Sequence, residues 1–198
     1  RLKDKDVDAV LVDSVRGAYE AVSHLIKNGY RRIGIVSGPS TVTTGRDRLE
    51  GYRQALQDAS IVLDPALERT GTFRVESGRE LAGQLLDARI GVDALFTCNN
   101  LLTLGAWEAL QARQLAVPND IGMVGYDDMQ WAEFSSISLT TVMQPVHELG
   151  ITAAARLFQR LQSANIQSRQ EIVLAPNLRV RGSSQPRSTV LQTLTAGA

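Results

Sequence analysis

The sequence is poor in the residues that build covalent or metal frameworks. Its 198 residues include one cysteine, Cys98, and two histidines, His24 and His147. A single thiol excludes an internal disulfide and a cysteine-built zinc site, and two histidines leave little for a histidine metal centre. Net charge is missing too: 21 Lys and Arg balance 21 Asp and Glu, so the chain lacks the basic footprint of a nucleic-acid surface. No apolar run reaches the length of a membrane span, and no leader peptide opens the chain. These absences fit a cytoplasmic protein without metal or cofactor. What remains is ordinary for a globular domain: 43% hydrophobic and 21% charged residues, enough at this length to bury a good core.

Strand-like and helix-like runs alternate. Short apolar runs at 8–12 (DAVLV), 32–37 (RIGIVS), 94–98 (ALFTC) and 121–126 (IGMVGY) read as strands, the longer ones continuous enough to be covered on both faces. Helical spacing predicts helices over 16–28, 46–59, 76–88, 101–113 and 147–162, with a short segment at 70–73 between two of them. An extended stretch at 140–142 and late strands at 171–175 and 177–181 complete the pattern. Such alternation with short links predicts an α/β fold, a doubly wound parallel sheet with helices on both faces. Ligands of such sheets bind at the carboxyl ends of the strands. The loops to inspect are therefore 37–48, 98–100 and 126–136. The segment 182–198 is rich in Ser, Thr, Gly and Gln without an apolar stripe and is expected to be a loose tail.

The 37–48 loop, SGPSTVTTGRDR, combines glycines, hydroxyls and two arginines before a helix. It suits a polyhydroxylated or anionic ligand, or it is a plain solvated connection. It lacks the Gly-Lys-Ser/Thr ending of a nucleotide loop. Asp127 and Asp128 end a strand, either to bind ligand hydroxyls or to shape a turn. Neighbouring side chains on extended backbone point to opposite sides, which weakens a two-carboxylate hydrolase. Asn99 and Asn100 follow a strand and offer a helix cap or a donor–acceptor pair for a ligand. Phe73 is either core or a stacking ring. His24 and Cys98 read as structural. No Ser-His-Asp set, metal spacing or redox pair is present, so no catalytic residue is assigned. The helix after Asn100 has a second apolar edge, Leu101, Leu104 and Trp107, consistent with deep burial or a subunit interface.

Read in order, the segments VDAVLVDSVRGAYEAVSHLIKNGYRRIGIVSGP, RDRLEGYRQAL, LFTCNNLLTLGAWEAL, VPNDIGMVGYDDM, LTTVMQPVHELGITAAARLFQRL and LAPNLRVRGSS resemble the LacI/GalR family of bacterial transcription regulators over 7–183. The resemblance implies the effector-binding and dimerisation domain (1–181) of a repressor-type regulator, with a fold like periplasmic sugar-binding proteins. It further implies a C-terminal lobe (13–142), remnants of the N-terminal lobe (147–175), and no helix-turn-helix in this sequence. Operator DNA would be contacted only through that missing N-terminal part. By the same resemblance Thr44, Arg48, Phe73, Asn99, Asp127 and Gln144 line the effector cleft. The effector would be a carbohydrate, or else a nucleoside or purine. A homodimer interface is expected at Leu101, Leu104, Trp107 and Trp131. One departure stands out: the family's usual Asn-Asp is Asn99-Asn100 here, which favours a ligand presenting acceptors at that point. The rival readings are a transport-associated periplasmic sugar-binding protein of the same fold and a small enzyme using Asp127 and Asp128.

Overall fold

The computed structural model describes residues 7–129, 132, 137–162 and 168–186. The elements are β1 (Ala9–Val12), α1 (Ser14–Lys27), β2 (Ile33–Ser37), α2 (Thr43–Asp58), β3 (Glu68–Thr70), α3 (Val75–Asp87), β4 (Ala94–Thr97), α4 (Asn100–Ala112), β5 (Gly122–Tyr126), β6 (Thr140–Met143), α5 (Val146–Gln162), β7 (Glu171–Leu174) and β8 (Asn177–Arg179). The larger sheet has the order β3-β2-β4-β5-β6-β8, parallel except for β8, which runs antiparallel to β6. The smaller sheet is the parallel pair β1-β7. This is the doubly wound α/β arrangement that the alternation predicts. After β2 the chain steps outward to β3, then crosses back so that β4 lies on the other side of β2. That reversal is the topological switch point.

The helices are seated by glycines. At Gly51 a Cβ would lie 2.1 Å from the Val15 carbonyl oxygen, and at Gly105 one would lie 2.0 Å from that of Val75. Only glycine allows backbones to come this close, so α1 packs tightly on α2 and α3 on α4. Ala18, Val22 and Leu25 of α1, Leu81 and Leu85 of α3, and Leu102, Ala106 and Leu110 of α4 face the sheet and are buried. Ile33, Ile35, Leu95, Phe96, Met123 and Val124 form the sheet's share of the core. Each of these Val, Leu, Ile, Phe and Met side chains contributes about 1.5–3 kcal/mol on burial, so the stability of the fold is concentrated around the larger sheet. Helix α5 differs: its one buried residue is Arg156, while Ile151, Leu157, Phe158 and Leu161 are exposed. Arg156 and Arg160 both donate to Asp8, at 2.8 and 2.6 Å, and so fasten α5 to the start of β1.

Two sequence expectations need correction. Helix α2 begins at Thr43 rather than Arg46, so the loop after β2 shortens and Thr44 lies in the first helical turn. Val42 precedes it in extended conformation without a side-chain cap, which removes the usual start signal. The expected loose tail is contradicted over its described residues, 182–186. Gly182–Ser184 is a 3-10 turn with Ser183 and Ser184 fully buried. The Ser183 hydroxyl donates to the Met123 carbonyl at 2.6 Å and accepts from the Thr140 amide at 2.8 Å. This strap is held by hydroxyl hydrogen bonds, which leave no apolar periodicity to detect.

Candidate functional site

The carboxyl ends of β2, β4, β5 and β6 open on one side of the larger sheet, around the switch point. Each delivers one part of the candidate site. Strand β2 ends in Ser37-Gly38, β4 leads to Cys98-Asn99, β5 leads to Asp127-Asp128, and β6 leads to Gln144.

Arg48 forms the floor. Residues 45, 48, 52 and 56 of α2 share its inward face, and Gly45 lets that face settle against the Pro39 carbonyl. Arg48 is only 4% exposed. Its guanidinium lies 3.5 Å from the centroid of the Tyr126 ring, and Nη1 donates to the Cys98 carbonyl. It has no ion pair among the described residues, and its Nε is buried without a hydrogen-bond partner. The buried Tyr126 hydroxyl lies beside Ser14 and Arg48. Burial pushes the Tyr126 phenol upward, with the Arg48 charge opposing. Burial also pushes the Cys98 thiol up to about 11, which makes it protonated and unreactive at neutral pH.

Asp127 leaves β5 with φ 74°, in the left-handed region. Its amide donates to the Val142 carbonyl at 2.9 Å, and its Oδ1 accepts from Gln144 Nε2 at 2.5 Å. Asp128 turns the other way. It accepts from Thr141 Oγ1 at 2.6 Å, Arg181 Nη1 at 2.8 Å and Arg179 Nη1 at 3.2 Å. Burial raises its pKa, but Arg181 and Thr141 outweigh that and hold it below the usual carboxylate range. The two carboxylates are therefore tied to different partners, Asp127 to Gln144 and Asp128 to Thr141, Arg179 and Arg181.

The other sequence-predicted residues fall as follows. Asn99 caps α4, its Oδ1 accepting from the Leu102 amide at 2.8 Å. Asn100 Oδ1 accepts from the Leu101 amide. Phe73, half-buried, lies flat against Gly38, where a Cβ would come 2.1 Å from its ring. Thr44 is exposed and lines, with Val10, Val12, Gln144 and Leu149, a cleft of about 350 Å³ between β1, the start of α2 and the turn from β6 into α5. The structure thus joins Asp127 to Gln144 directly and sets Gln144 and Thr44 in one cleft. Arg48 and Asn99 meet at the end of β4 through Cys98. Of the expected interface residues, Leu101 is 41% exposed, Leu104 is half-buried, and Trp107 is half-buried against the core. Trp131 lies outside the described residues.

Sequence reasoning missed Tyr126 as the ring under Arg48, and Arg179 and Arg181 as partners of Asp128. Tyr126 reads as one more apolar residue of a strand. The arginines lie 51 and 53 residues away from their acid, with no local pattern linking them. Among the described residues no group of three His, Cys, Asp or Glu could hold a metal ion. No described helix is long and apolar enough to cross a membrane. Chemically, the described residues of the site offer a buried cationic donor, a carboxylate acceptor, two amides and an aromatic face, a set suited to binding a polar ligand.

Comparison with known proteins adds the following. The model of the periplasmic binding protein-like domain matches residues 22–184. The chain is similar to the HTH-type transcriptional regulator DegA of Bacillus subtilis, 38% identical over 92% of this chain and 54% of the relative. It is equally similar to the ribose operon repressor of Escherichia coli, 38% identical over 91% of this chain and 54% of the relative. Among solved structures, the transcriptional regulator CelR–cellobiose complex superposes with TM-score 0.85 at 36% identity, covering 91% of this chain and 55% of that one. A LacI family transcriptional regulator from Enterococcus faecium with bound ribose superposes with TM-score 0.81 at 30% identity, covering 90% and 66%. The chain spans about half the length of the curated relatives it matches.

Proposed function

From a chain that belongs to the periplasmic binding protein-like family of LacI-type regulators, we propose a ligand-sensing domain whose effector is a small carbohydrate. The effector binds at the carboxyl ends of β2, β4 and β5 and in the cleft that Gln144 and Thr44 line. The single observation that carries this reading is Arg48. A guanidinium buried over Tyr126, without an ion pair and with one N–H unsatisfied, is costly unless something supplies an acceptor. A sugar oxygen meets that need, while its hydroxyls donate to Asp127. The amide nitrogen of Asn99, whose oxygen is committed to the cap, is the free end for a further acceptor. Phe73 offers a ring face beside Gly38.

On this reading the regulator is not an enzyme and is cytoplasmic. It works as a homodimer through the face bearing Leu101, Leu104 and Trp107. Operator DNA is bound by a helix-turn-helix that lies outside this sequence. Residues 13–142 form one lobe, and 147–175 belong to the other. An effector shifts the arrangement of the lobes only insofar as it binds the two arrangements with different affinity. The names of the relatives, a ribose operon repressor and a cellobiose complex among them, support a regulator over a transport protein of the same fold.

The test is thermal unfolding of this chain with D-ribose, cellobiose or adenosine. A bound ligand at a hundredfold excess over its Kd stabilises by about 2.7 kcal/mol. A rise with one sugar, lost in Asp127→Ala and Gln144→Ala, is the expected outcome. Stabilisation by adenosine alone moves the reading to nucleosides, and a sugar response that survives both substitutions sinks the assignment of this cleft.

A further inference from the structure

The paired acids that leave β5 are tied to two different crossings between the sheets. Gln144, the partner of Asp127, stands just before Pro145, where the chain leaves β6 for α5. Arg179, one partner of Asp128, belongs to β8, which the chain enters from β7 through Ala175-Pro176. Asp127 itself is a non-glycine residue in the left-handed region, a conformation that L side chains rarely adopt and that its surroundings must hold. It is fixed on both sides. Before it, Tyr126 is paired with Val142 in the sheet. After it, Asp128 (9% exposed) meets Arg181 (12% exposed) through two bonds of 2.8 and 3.1 Å. Arg181 cannot swing, because Nη1 also donates to the Leu139 carbonyl at 2.7 Å and to Thr141 Oγ1 at 3.0 Å. With both neighbours pinned, the backbone at Asp127 and the direction of its Cα–Cβ bond are set, and the Gln144 amide holds the carboxylate from there.

We propose that Asp128 is a positioning residue of the cleft: clamped by Arg181, it fixes the left-handed turn that presents the Asp127 carboxylate to Gln144 and to a bound effector. The hold on Gln144 stands without any ligand, whereas the hold on the effector rests on the carbohydrate-sensing reading above. An effector hydroxyl that donates to Asp127 shares the carboxylate with the Gln144 amide and draws charge from that bond. Occupancy is thereby passed to the Pro145 crossing, while the Asp128 clamp keeps the β8 crossing in place.

The experiment is solution NMR on the ¹⁵N-labelled chain. In the ligand-free protein the Gln144 side-chain amide, donating to a carboxylate, is displaced from the other glutamine amides. Asp127→Asn defines its position when that carboxylate is gone. Asp128→Asn keeps the shape and removes the charge. It is expected to move the Gln144 amide toward the Asp127→Asn position. It should also speed exchange of the Asp127 amide by about tenfold or more, the weight of a charged hydrogen bond, while β2 and β4 keep their protection. A Gln144 resonance unmoved by Asp128→Asn overturns the proposal. Should that variant lose its folded spectrum, Arg181→Lys decides. It retains the charge but not the fork, so an intermediate displacement supports the role and none refutes it. D-ribose and cellobiose are then titrated into the unsubstituted chain. If neither moves Gln144, the effector reading fails for those sugars, and the ligand-free spectra still decide the role of Asp128.

Discussion

At the scale of single residues, the contact between Gly38 and Phe73 makes the sharpest prediction. A methyl group on Gly38 would overlap the far end of the Phe73 ring, and the ring can turn away. Gly38→Ala is therefore expected to cost about 1 kcal/mol, most of it recovered when Phe73 is also shortened to leucine. Urea unfolding of the two single variants and the double variant reads this as a coupling of at least about 0.5 kcal/mol; simple additivity would show that the two do not press on each other. Residues at this scale were legible in the sequence where position alone exposes them. Asp127, at a strand end, and Arg48, in the expected loop after β2, were marked by position beside structural alternatives, since strand ends are where such sheets bind, whereas Gln144 was named only through the family resemblance. Asn99 was legible only as two alternatives, cap or ligand contact, and its oxygen proves to be the cap. Asp128 was not legible, because its partners are arginines from a distant segment.

At the scale of elements, the contrast lies between seams closed on backbone and a helix left open. Gly105 of α4 meets the Val75 carbonyl and the Arg79 amide of α3. No rotation can relieve a methyl group there, unlike at Gly38. Gly105→Ala is expected to cost about 3 kcal/mol or more, at or beyond the upper end for overpacking, and to lower the urea midpoint without restoring itself in any side-chain double variant. Phe158 of α5 is 62% exposed, so Phe158→Ser should change stability by no more than about 0.5 kcal/mol. A large loss there would mean that α5 is covered in solution. Helix periodicity found both elements, since apolar spacing is a local property. It did not find the first turn of α2, which lacks a capping side chain, nor could it say that α5 packs with an arginine rather than with its apolar stripe.

At the scale of the whole molecule, the alternation of strand and helix was readable because the buried strands are nearly continuous apolar runs. The polar strap that closes the larger sheet was not readable. That strap gives the molecule a pH dependence. Ser184 Oγ lies 2.8 Å from His24 Nε2, and Asn28 Nδ2 donates to the same nitrogen at 3.1 Å. Asn28 Nδ2 also donates to the Ser184 carbonyl at 2.7 Å. A nitrogen that accepts from an amide belongs to the neutral ring, and protonation would set two donors against each other. Burial, with a smaller contribution from Lys27, accordingly holds the His24 pKa below its ordinary value. The sign follows from proton counting. Below about pH 6.5 the unfolded chain takes up a proton that the folded chain refuses, so stability falls as pH falls. The contribution is intact above that point and declines through the window beneath it. A second decline belongs to Asp8, lowered by Arg160 and Arg156, and to Asp128, lowered by Arg181. Their contribution to stability is complete above about pH 3.9, the ordinary carboxylate value, and declines as pH falls below it toward the lowered folded-state values. Urea midpoints measured at about pH 7.5 and about pH 5.5 should differ in the unsubstituted chain and differ less in His24→Gln, which cannot titrate. Equal pH slopes in the two proteins would place the titrating group elsewhere and remove His24 from the strap's account.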